Sequence, residues 1–555
     1  MQQNRSILTR LRLKGDSLQQ RRLVASLARQ VASHARVDPD QRPVVIFNAS
    51  TRLTGLSLNA AFALLTGWSL RLSGVPVVHF VCQSGLQPCV LGTDREDYAA
   101  PPPCETCIAQ SQRLYHAADV RTFGYRPDPQ LEAALQGLCV EDLSHFTYHI
   151  TPGSPHSFPP LSPSPLPPVP LGSLVLPSIR WSLRRHTLPD DEPTRYLLRQ
   201  YMLSAFRIVV EFASLLEQVQ PQTAVIFNGA LYPEAAARWT ARQIGVRSVA
   251  HEVGFQQYST FFTEGEPTAY PLDIPEHFDL DDEQNARLDA YLEKRFQGKF
   301  SMAGIKFWPE MRGLDEDLLR KATQFRQVVP VFTNVVYDTS QVHANVIFSN
   351  MFAWLDVLLD IIRAHPDTLF VIRAHPDEMR AGTRKLSNES VSQWVQDNQV
   401  DRLPNVVFID PQEFISSYEL VQRAKFVIVY NSSIGMEAAL MGASVLCGGK
   451  ARYTQYPIVT FPQSVAEFTH LAEEFLRADS LNAPPEFQRN ARRFLFYQLY
   501  RASLPLDEYI KAAPRMGFIY LRRFSWQLLL PENSTTMRIL VDGITQGEPF
   551  LLPEA

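Results

Sequence analysis

The chain has 555 residues, 45% of them hydrophobic and 20% charged, with a formal net charge of −4. That length calls for two or three domains, and the composition is that of a globular protein with real cores. The near-neutral balance excludes a nucleic-acid partner read by charge alone. No run reaches the roughly eighteen apolar residues of a membrane span. The polar start Met1-Gln2-Gln3-Asn4-Arg5 does not open a signal peptide. Six cysteines in so long a chain do not make a disulfide scaffold, so reduced thiols are expected. A cytoplasmic protein follows, with the inner face of a membrane as a second place for it.

Residues 1–42 form an N-terminal helical segment in which Arg5 to Arg36 are rich in Arg, Leu and Ala. Such a segment either packs on its own domain or lies on an anionic membrane surface, and the first is favoured. A first Rossmann-like domain is expected over 43–263. It starts with a strand at Val44–Asn48, a polar loop containing Gly55, a helix at Leu58–Leu72 and a strand at Val75–Cys82. Within it, Cys82, Cys89, Cys104 and Cys107 fall in twenty-six residues. Four thiolates, two of them spaced Cys-x-x-Cys, suit a structural Zn²⁺ or an iron–sulfur cluster. Cys82 also reads as a small apolar residue of a buried strand. The stretch Thr151–Pro177 is dense in Pro and Ser and reads as an extended surface excursion. A long amphipathic helix near Glu192–Gln218 follows it. Then come a strand at Ala224–Phe227, Asn228-Gly229, a helix at Pro233–Ile244 and a strand at Val246–His251.

Residues 264–325 read as a helical connection without strands. A second Rossmann-like domain is expected over 326–480, beginning with a strand at Val328–Thr333. A helix at Val346–Ala364 carries Phe348, Met351, Trp354 and Leu355 as a core stripe. Strands at Leu369–Arg373 and Val406–Ile409 follow, with a helix near Phe414–Arg423. The most informative stretch is Lys425–Tyr453. A short apolar strand there runs into Asn431-Ser432-Ser433, then a helix from Ile434 to Met441, Gly442 and a second apolar strand. That is the βαβ unit of a parallel sheet, and its strand-to-helix turn is where such sheets bind anions and nucleotides. An ordinary turn with a serine cap gives the same pattern. Residues 481–555 read as a helical tail.

At Arg373–Glu378 and Asn431–Glu437 the sequence resembles the bacterial capsule-polysaccharide biosynthesis glycosyltransferases, the group that includes the capsular Kdo transferases. Thr333-Asn334 with Asp338, the Phe348/Met351/Trp354 stripe, Arg-x-His-Pro-x-Glu at 373–378 and Ser432-Ser433 with Glu437 carry the resemblance. Phe227-Asn228-Gly229 and His251-Glu252-x-Gly254 extend it weakly into the first half. The resemblance implies an α/β, GT-B-like fold: two Rossmann-like domains facing across a cleft, with the helical tail beyond. It implies a CMP- or UDP-type nucleotide-sugar donor held by Asn334, Arg373, His375, Pro376, Ser432, Ser433 and Glu437, with a glycan or glycolipid acceptor. Glu252 is the expected catalytic carboxylate, and His251 either orients it or serves as the base. No cofactor is expected for the chemistry. A sugar-nucleotide epimerase on the same fold, or a non-catalytic glycan-binding protein with a structural metal, fits the same residues. The cysteine cluster and the Pro-rich stretch lie outside the resemblance.

Overall fold

The computed structural model describes all residues except 1–6, 50–54, 87, 95–96, 151–165, 298–311, 380–385, 515–516 and 555, with backbone alone for 7–12 and 14. Most of the polar loop before Gly55 and most of the Pro-rich stretch thus lie outside the described residues. In chain order the elements begin with α1 (Ile7–His34), β1 (Val44–Phe47), α2 (Leu58–Leu72), β2 (Val77–Cys82), α3 (Cys104–Leu114) and β3 (Asp119–Phe123). They continue with α4 (Pro129–Ala134), α5 (Val140–Ser144), α6 (Leu171–Leu183), α7 (Glu192–Val219), β4 (Thr223–Phe227), α8 (Glu234–Gln243), β5 (Arg247–Val253) and β6 (Ser259–Thr263). Next are α9 (Asp282–Phe296), α10 (Glu316–Ala322), β7 (Gln327–Phe332), α11 (Met351–Ala364), β8 (Thr368–Arg373), α12 (Val391–Asp397) and β9 (Val406–Ile409). The central unit of the second half is α13 (Ser417–Arg423), β10 (Val427–Val429), α14 (Ile434–Leu440) and β11 (Val445–Cys447). The chain ends with α15 (Val465–Arg477), α16 (Pro485–Phe496), β12 (Leu504–Pro505), β13 (Ile510–Ala512), β14 (Ile519–Leu521) and α17 (Thr535–Gln546).

Two compact units result. The first comprises Met1–Ser182, Pro189–Tyr270 and Leu499–Ala555, and the second Leu183–Leu188 and Pro271–Gln498. The tail is helical but also carries three short strands, and it divides between the units at Gln498.

The sheet of the first unit has the order β12-β6-β5-β4-β1-β2-β3. Its five strands from β5 to β3 run parallel, while β6 returns antiparallel on β5 and β12 on β6. All four residues of β1 are buried, as a central parallel strand covered on both faces must be. Ala60, Phe62 and Leu64 of α2 join Met537, Leu540 and Ile544 of α17 in one core. Leu27, Ala28 and Val31 of α1 enter the same core, and the His34 ring stacks on Trp526 at 4.0 Å. The N-terminal helix therefore packs on its own unit. Besides the three strands of the tail, two more escape the sequence reading. β3 exposes four of its five residues, so its polar Asp-Val-Arg-Thr-Phe shows no apolar run, and β6 lies past the last strand expected in the first domain.

The second unit holds a five-stranded, wholly parallel sheet of order β11-β10-β7-β8-β9. Every residue of β8 is buried, which explains its unbroken apolar run. α11 begins later than the apolar pattern suggests, residues 346–350 being bends outside the helix. The side chain of Asn350 accepts from the N–H groups of Phe352 and Ala353 and so sets the helix start. The core stripe is as expected, with Phe348, Met351, Trp354 and Leu355 all buried. Among the described residues no helix is long and apolar enough to cross a membrane.

In both sheets the chain starts at a central strand, moves outward on one side, then returns to build the other. The strands flanking that reversal are β1 and β4 in the first unit, β7 and β10 in the second. Loops leaving them part in opposite directions, and ligands bind at such points. Around the second of these reversals the backbone leans on buried rings. A Cβ added at Gly448 would stand 2.4 Å from the indole nitrogen of fully buried Trp354. Removing that ring by Trp354→Ala is expected to lower the unfolding free energy of the second unit by about 3–5 kcal/mol in chemical denaturation. An unchanged transition midpoint would show that the ring is not a support.

Candidate functional site

The reversal in the second unit is closed by side-chain amides. Asn334, just past β7, donates from Nδ2 to Oδ1 of Asn431, just past β10, at 2.7 Å. The Nε2 of Gln341 donates to the same oxygen at 3.0 Å. Asn334 uses its own Oδ1 to accept the N–H of Val335 at 2.8 Å, which fixes the first residues of the exit loop. The β11 exit is tied in as well. The N–H of Gly449 donates to the Tyr430 carbonyl at 2.8 Å, and that of Lys450 to the Ala344 carbonyl at 2.9 Å. Lys450 then points an exposed ammonium-bearing chain from this edge.

Ser432 and Ser433 follow Asn431 directly. Ser432 is buried, and its carbonyl accepts the hydroxyl of Tyr453 at 2.7 Å. Tyr453 is also why position 435 must be glycine, since a Cβ there would lie 2.3 Å from its hydroxyl oxygen. Ser433 stands half-buried at the N-cap of α14 in the helical region of backbone space, and its side chain makes no capping hydrogen bond. The simple serine cap is therefore not its role. His375 sits past β8, next to β7 in the sheet, and is half-buried. Its Nδ1 accepts the N–H of Asp377 at 3.1 Å, so a neutral ring carries its proton on Nε2. Pro376 opens the short 3-10 turn Pro376–Glu378 that makes this bond.

Two expected ligand residues are placed elsewhere. Glu437 is 3% exposed, with Oε1 paired to Arg295 of α9 at 2.5 Å and Oε2 accepting the Tyr418 hydroxyl of α13 at 2.6 Å. Desolvation pulls the Arg295 guanidinium down, but the surrounding charges of Glu437, Tyr291 and Tyr418 outweigh it and hold it above its ordinary value. Burial and the Glu437 charge raise the Tyr418 phenol. Glu437 thus fastens α9 and α13 to α14 rather than facing a ribose. Arg373 is likewise buried and donates to the Ile415 carbonyl. Burial lowers it to about 10, with Glu413 offsetting part. It holds the segment before α13 and does not present an open phosphate contact.

The reversal in the first unit has a matching arrangement around Glu252. Its Oε2 accepts from Asn228 Nδ2 at 2.7 Å, and its Oε1 from Val253 N at 2.9 Å and Asn59 Nδ2 at 3.4 Å. Asn228 follows β4 and adopts φ of 60°, a left-handed conformation that asparagine tolerates. Asn59 belongs to the first turn of α2, beyond β1. Glu252 lies inside β5, which extends to Val253, and is half-buried. Strand alternation sends His251 to the other face, where it is 1% exposed and packed by Phe262 at 5.2 Å, Phe227 at 5.7 Å and Phe62 at 6.3 Å. His251 is thus packed as a core residue on the face of β5 opposite Glu252. Gly254 is required by close approach, since a Cβ would meet Ser259 Oγ at 2.3 Å.

Residues 302–479 match the model of the capsule polysaccharide biosynthesis protein family. The match covers 178 of the 555 residues. Asn334, His375, Asn431, Ser432, Ser433 and Lys450 all fall within the capsule-family segment. No curated protein matches the sequence. Among solved structures, the chain is similar to KpsC of Thermosulfurimonas dismutans, a beta Kdo 2,4 transferase. The two are 12% identical over 54% of this chain and 84% of that one, with a TM-score of 0.34. It is also similar to the UDP-GlcNAc 2-epimerase from Neisseria meningitidis bound to UDP-GlcNAc. There the identity is 13%, over 82% of this chain and 99% of that one, with a TM-score of 0.24. Likeness at this level extends to neither substrate nor mechanism.

Sequence reasoning missed Asn431 and Lys450 as site residues. An asparagine ending each of the two central strands was the available signal for the first. Glu378, the last residue of the Arg-x-His-Pro-x-Glu motif, was given no role of its own. Fully buried, its carboxyl is pushed up to about 8 by desolvation, partly offset by the Val391 N–H and reinforced by Asp410. The folded state keeps a proton that the unfolded chain loses near pH 4.3, so this group's contribution to stability is present at low pH and lost as pH rises to about 8. Glu378→Gln should therefore flatten the fall in melting temperature between about pH 5 and pH 8.5. An equal fall in both proteins would show that Glu378 is ionised in the fold.

Proposed function

We propose that the protein is a glycosyltransferase that moves a sugar from a CMP- or UDP-type nucleotide donor to a growing surface polysaccharide or glycolipid. The reading is carried by the second unit. There the capsule-family segment gathers an amide-bridged strand reversal, an uncapped-side-chain serine at a helix start, a histidine and an exposed lysine at the carboxyl ends of one parallel sheet. As the glycosidic bond of a donor breaks, negative charge builds on the departing phosphate. Donors aimed at it stabilise the transition state more than the ground state. The His375 Nε2 proton, the Ser433 hydroxyl and the Lys450 ammonium are donors of that kind.

The first unit presents the acceptor in this proposal. A sugar hydroxyl attacking the donor must lose its proton as the new bond forms, and Glu252 is the base. Asn228 and Asn59 hold its carboxylate at the strand reversal of the first sheet, where it can only accept. The step requires positioning, proton transfer and charge stabilisation, and calls for no cofactor.

Release of free nucleotide that depends on an added acceptor glycan is the direct assay. Interconversion of the nucleotide-sugar without acceptor would instead identify an epimerase. His375→Ala and Ser433→Ala are each expected to lose about 2–4 kcal/mol of transition-state stabilisation, with folding intact by circular dichroism. Transfer at the parent rate in both variants would remove the donor site from this sheet edge. Glu252→Gln should leave nucleotide affinity unchanged while lowering kcat at least about a hundredfold. A near-normal kcat there would eliminate Glu252 as the base.

A further inference from the structure

Among the described residues, which include Cys82, Cys89, Cys104 and Cys107, no group of three or more His, Cys, Asp or Glu side chains could hold a metal ion. The first unit carries a different feature just past β3. Tyr125 is the only Phe, Tyr or Trp that stands exposed among the described residues, at 50%. Its ring is nevertheless held. The guanidinium carbon of Arg207, on α7, lies over the ring at 4.3 Å from its centroid. Arg207 is itself buried and spends its donors on two loops. Its Nη1 donates to the Gly85 carbonyl at 2.6 Å, and its Nε and Nη2 donate to the Arg126 carbonyl at 3.0 and 2.6 Å. The exits of β2 and β3 are thereby tied to one buried cation. Between the same two exits, the N–H of Gln83 donates to the Phe123 carbonyl at 2.8 Å. Burying a guanidinium is costly unless it is hydrogen-bonded, and here the bonds fix the backbone that carries the exposed ring.

We propose that Tyr125 is a stacking platform for a distal sugar of a polymeric acceptor glycan. The ring stands among the exposed residues Arg121, Thr122, Gly124 and Arg126, a polar setting. A protein partner or a bilayer draws on contiguous apolar surface. A pyranose instead presents an apolar face of C–H bonds, which suits the negative face of an aromatic ring, and a rim of hydroxyls for polar neighbours. Register sets which sugar is bound. Ala250, Ile226, Phe47, Phe80 and Arg121 lie level across β5, β4, β1, β2 and β3. Glu252 stands two residues past that row and Tyr125 four past it, both toward the carboxyl edge. Four strand spacings separate them, about 19 Å, roughly the length of four linked sugar rings. A glycan whose end hydroxyl meets Glu252 would therefore cover Tyr125 only when it is at least about four sugars long. The subsite rests on the reading of Glu252 as the acceptor-side base.

The test is acceptor-dependent nucleotide release with oligosaccharides graded in length, prepared by partial hydrolysis of the producing cell's own surface polysaccharide. In the unaltered protein kcat/KM should rise once the acceptor passes about four sugars. Tyr125→Ala should lower kcat/KM on those longer acceptors about tenfold, through KM, and so flatten the rise. Tyr125→Phe keeps the ring and should keep the rise, as should Val120→Ala, an exposed position on β3. Tyr125→Gln serves as a second ringless variant should Tyr125→Ala misfold. An unchanged KM on long acceptors in the ringless variant, an equal loss at every length, a loss in kcat alone, or a changed oligomeric state would each overturn the subsite. No release by the unaltered protein with any acceptor would instead overturn the transferase reading, and the subsite with it.

Discussion

The hydrogen bond from Asn334 to Asn431 spans the one place in the second sheet where neighbouring strands send their chains in opposite directions. A parallel sheet must part there, and its exposed strand ends and helix starts are left as donors without partners of their own. The amide bridge, reinforced by Gln341, keeps the two exits at a fixed separation. Everything ascribed to donor binding depends on that separation. Ser433 follows Asn431 by two residues, His375 leaves the adjacent strand, and Lys450 leaves the next strand on the other side. Rings buried behind these loops, Trp354, Tyr430 and Tyr453, fill the space that side chains at Gly448, Gly449 and Gly435 would otherwise need.

The first unit solves the same problem with a different charge. Its strand reversal gathers amides around a carboxylate, and the donors of Asn228, Asn59 and the Val253 backbone converge on Glu252. One sheet edge is therefore rich in donors and the other supplies an acceptor. In the proposed reaction, a leaving phosphate would use the first and an attacking hydroxyl the second. The contrast follows from which residue types end β4, β5, β7, β8 and β10, since the two sheets share a strand order apart from the added β6 and β12.

Much of this was legible in the sequence wherever it is written locally. The helix Leu58–Leu72 and the strand Val406–Ile409 appear with the expected limits, because apolar spacing and turn residues mark both ends. The turns at Asn334, His375 and Ser432-Ser433 lie at strand ends for the same reason. What escaped depends on partners far along the chain. Glu437 looks like a ligand residue one turn into a helix until Arg295, 142 residues earlier, is found paired with it. Arg373 looks open until the Ile415 carbonyl is placed beside it. β3 has no apolar pattern because it is an exposed edge. The separation of His251 from Glu252 was available from strand alternation, once the strand is known to run through both.

The central claim is that the strand ends of the second sheet hold a nucleotide, and hydrogen–deuterium exchange with CMP, CDP, UDP, GDP and dTDP tests it most directly. Binding should slow exchange in the segments just past β7, β8 and β10, at 333–335, 374–378 and 431–435, for one base over the others. Protection confined to the first unit, or none with any nucleotide at saturating concentration, would contradict the account.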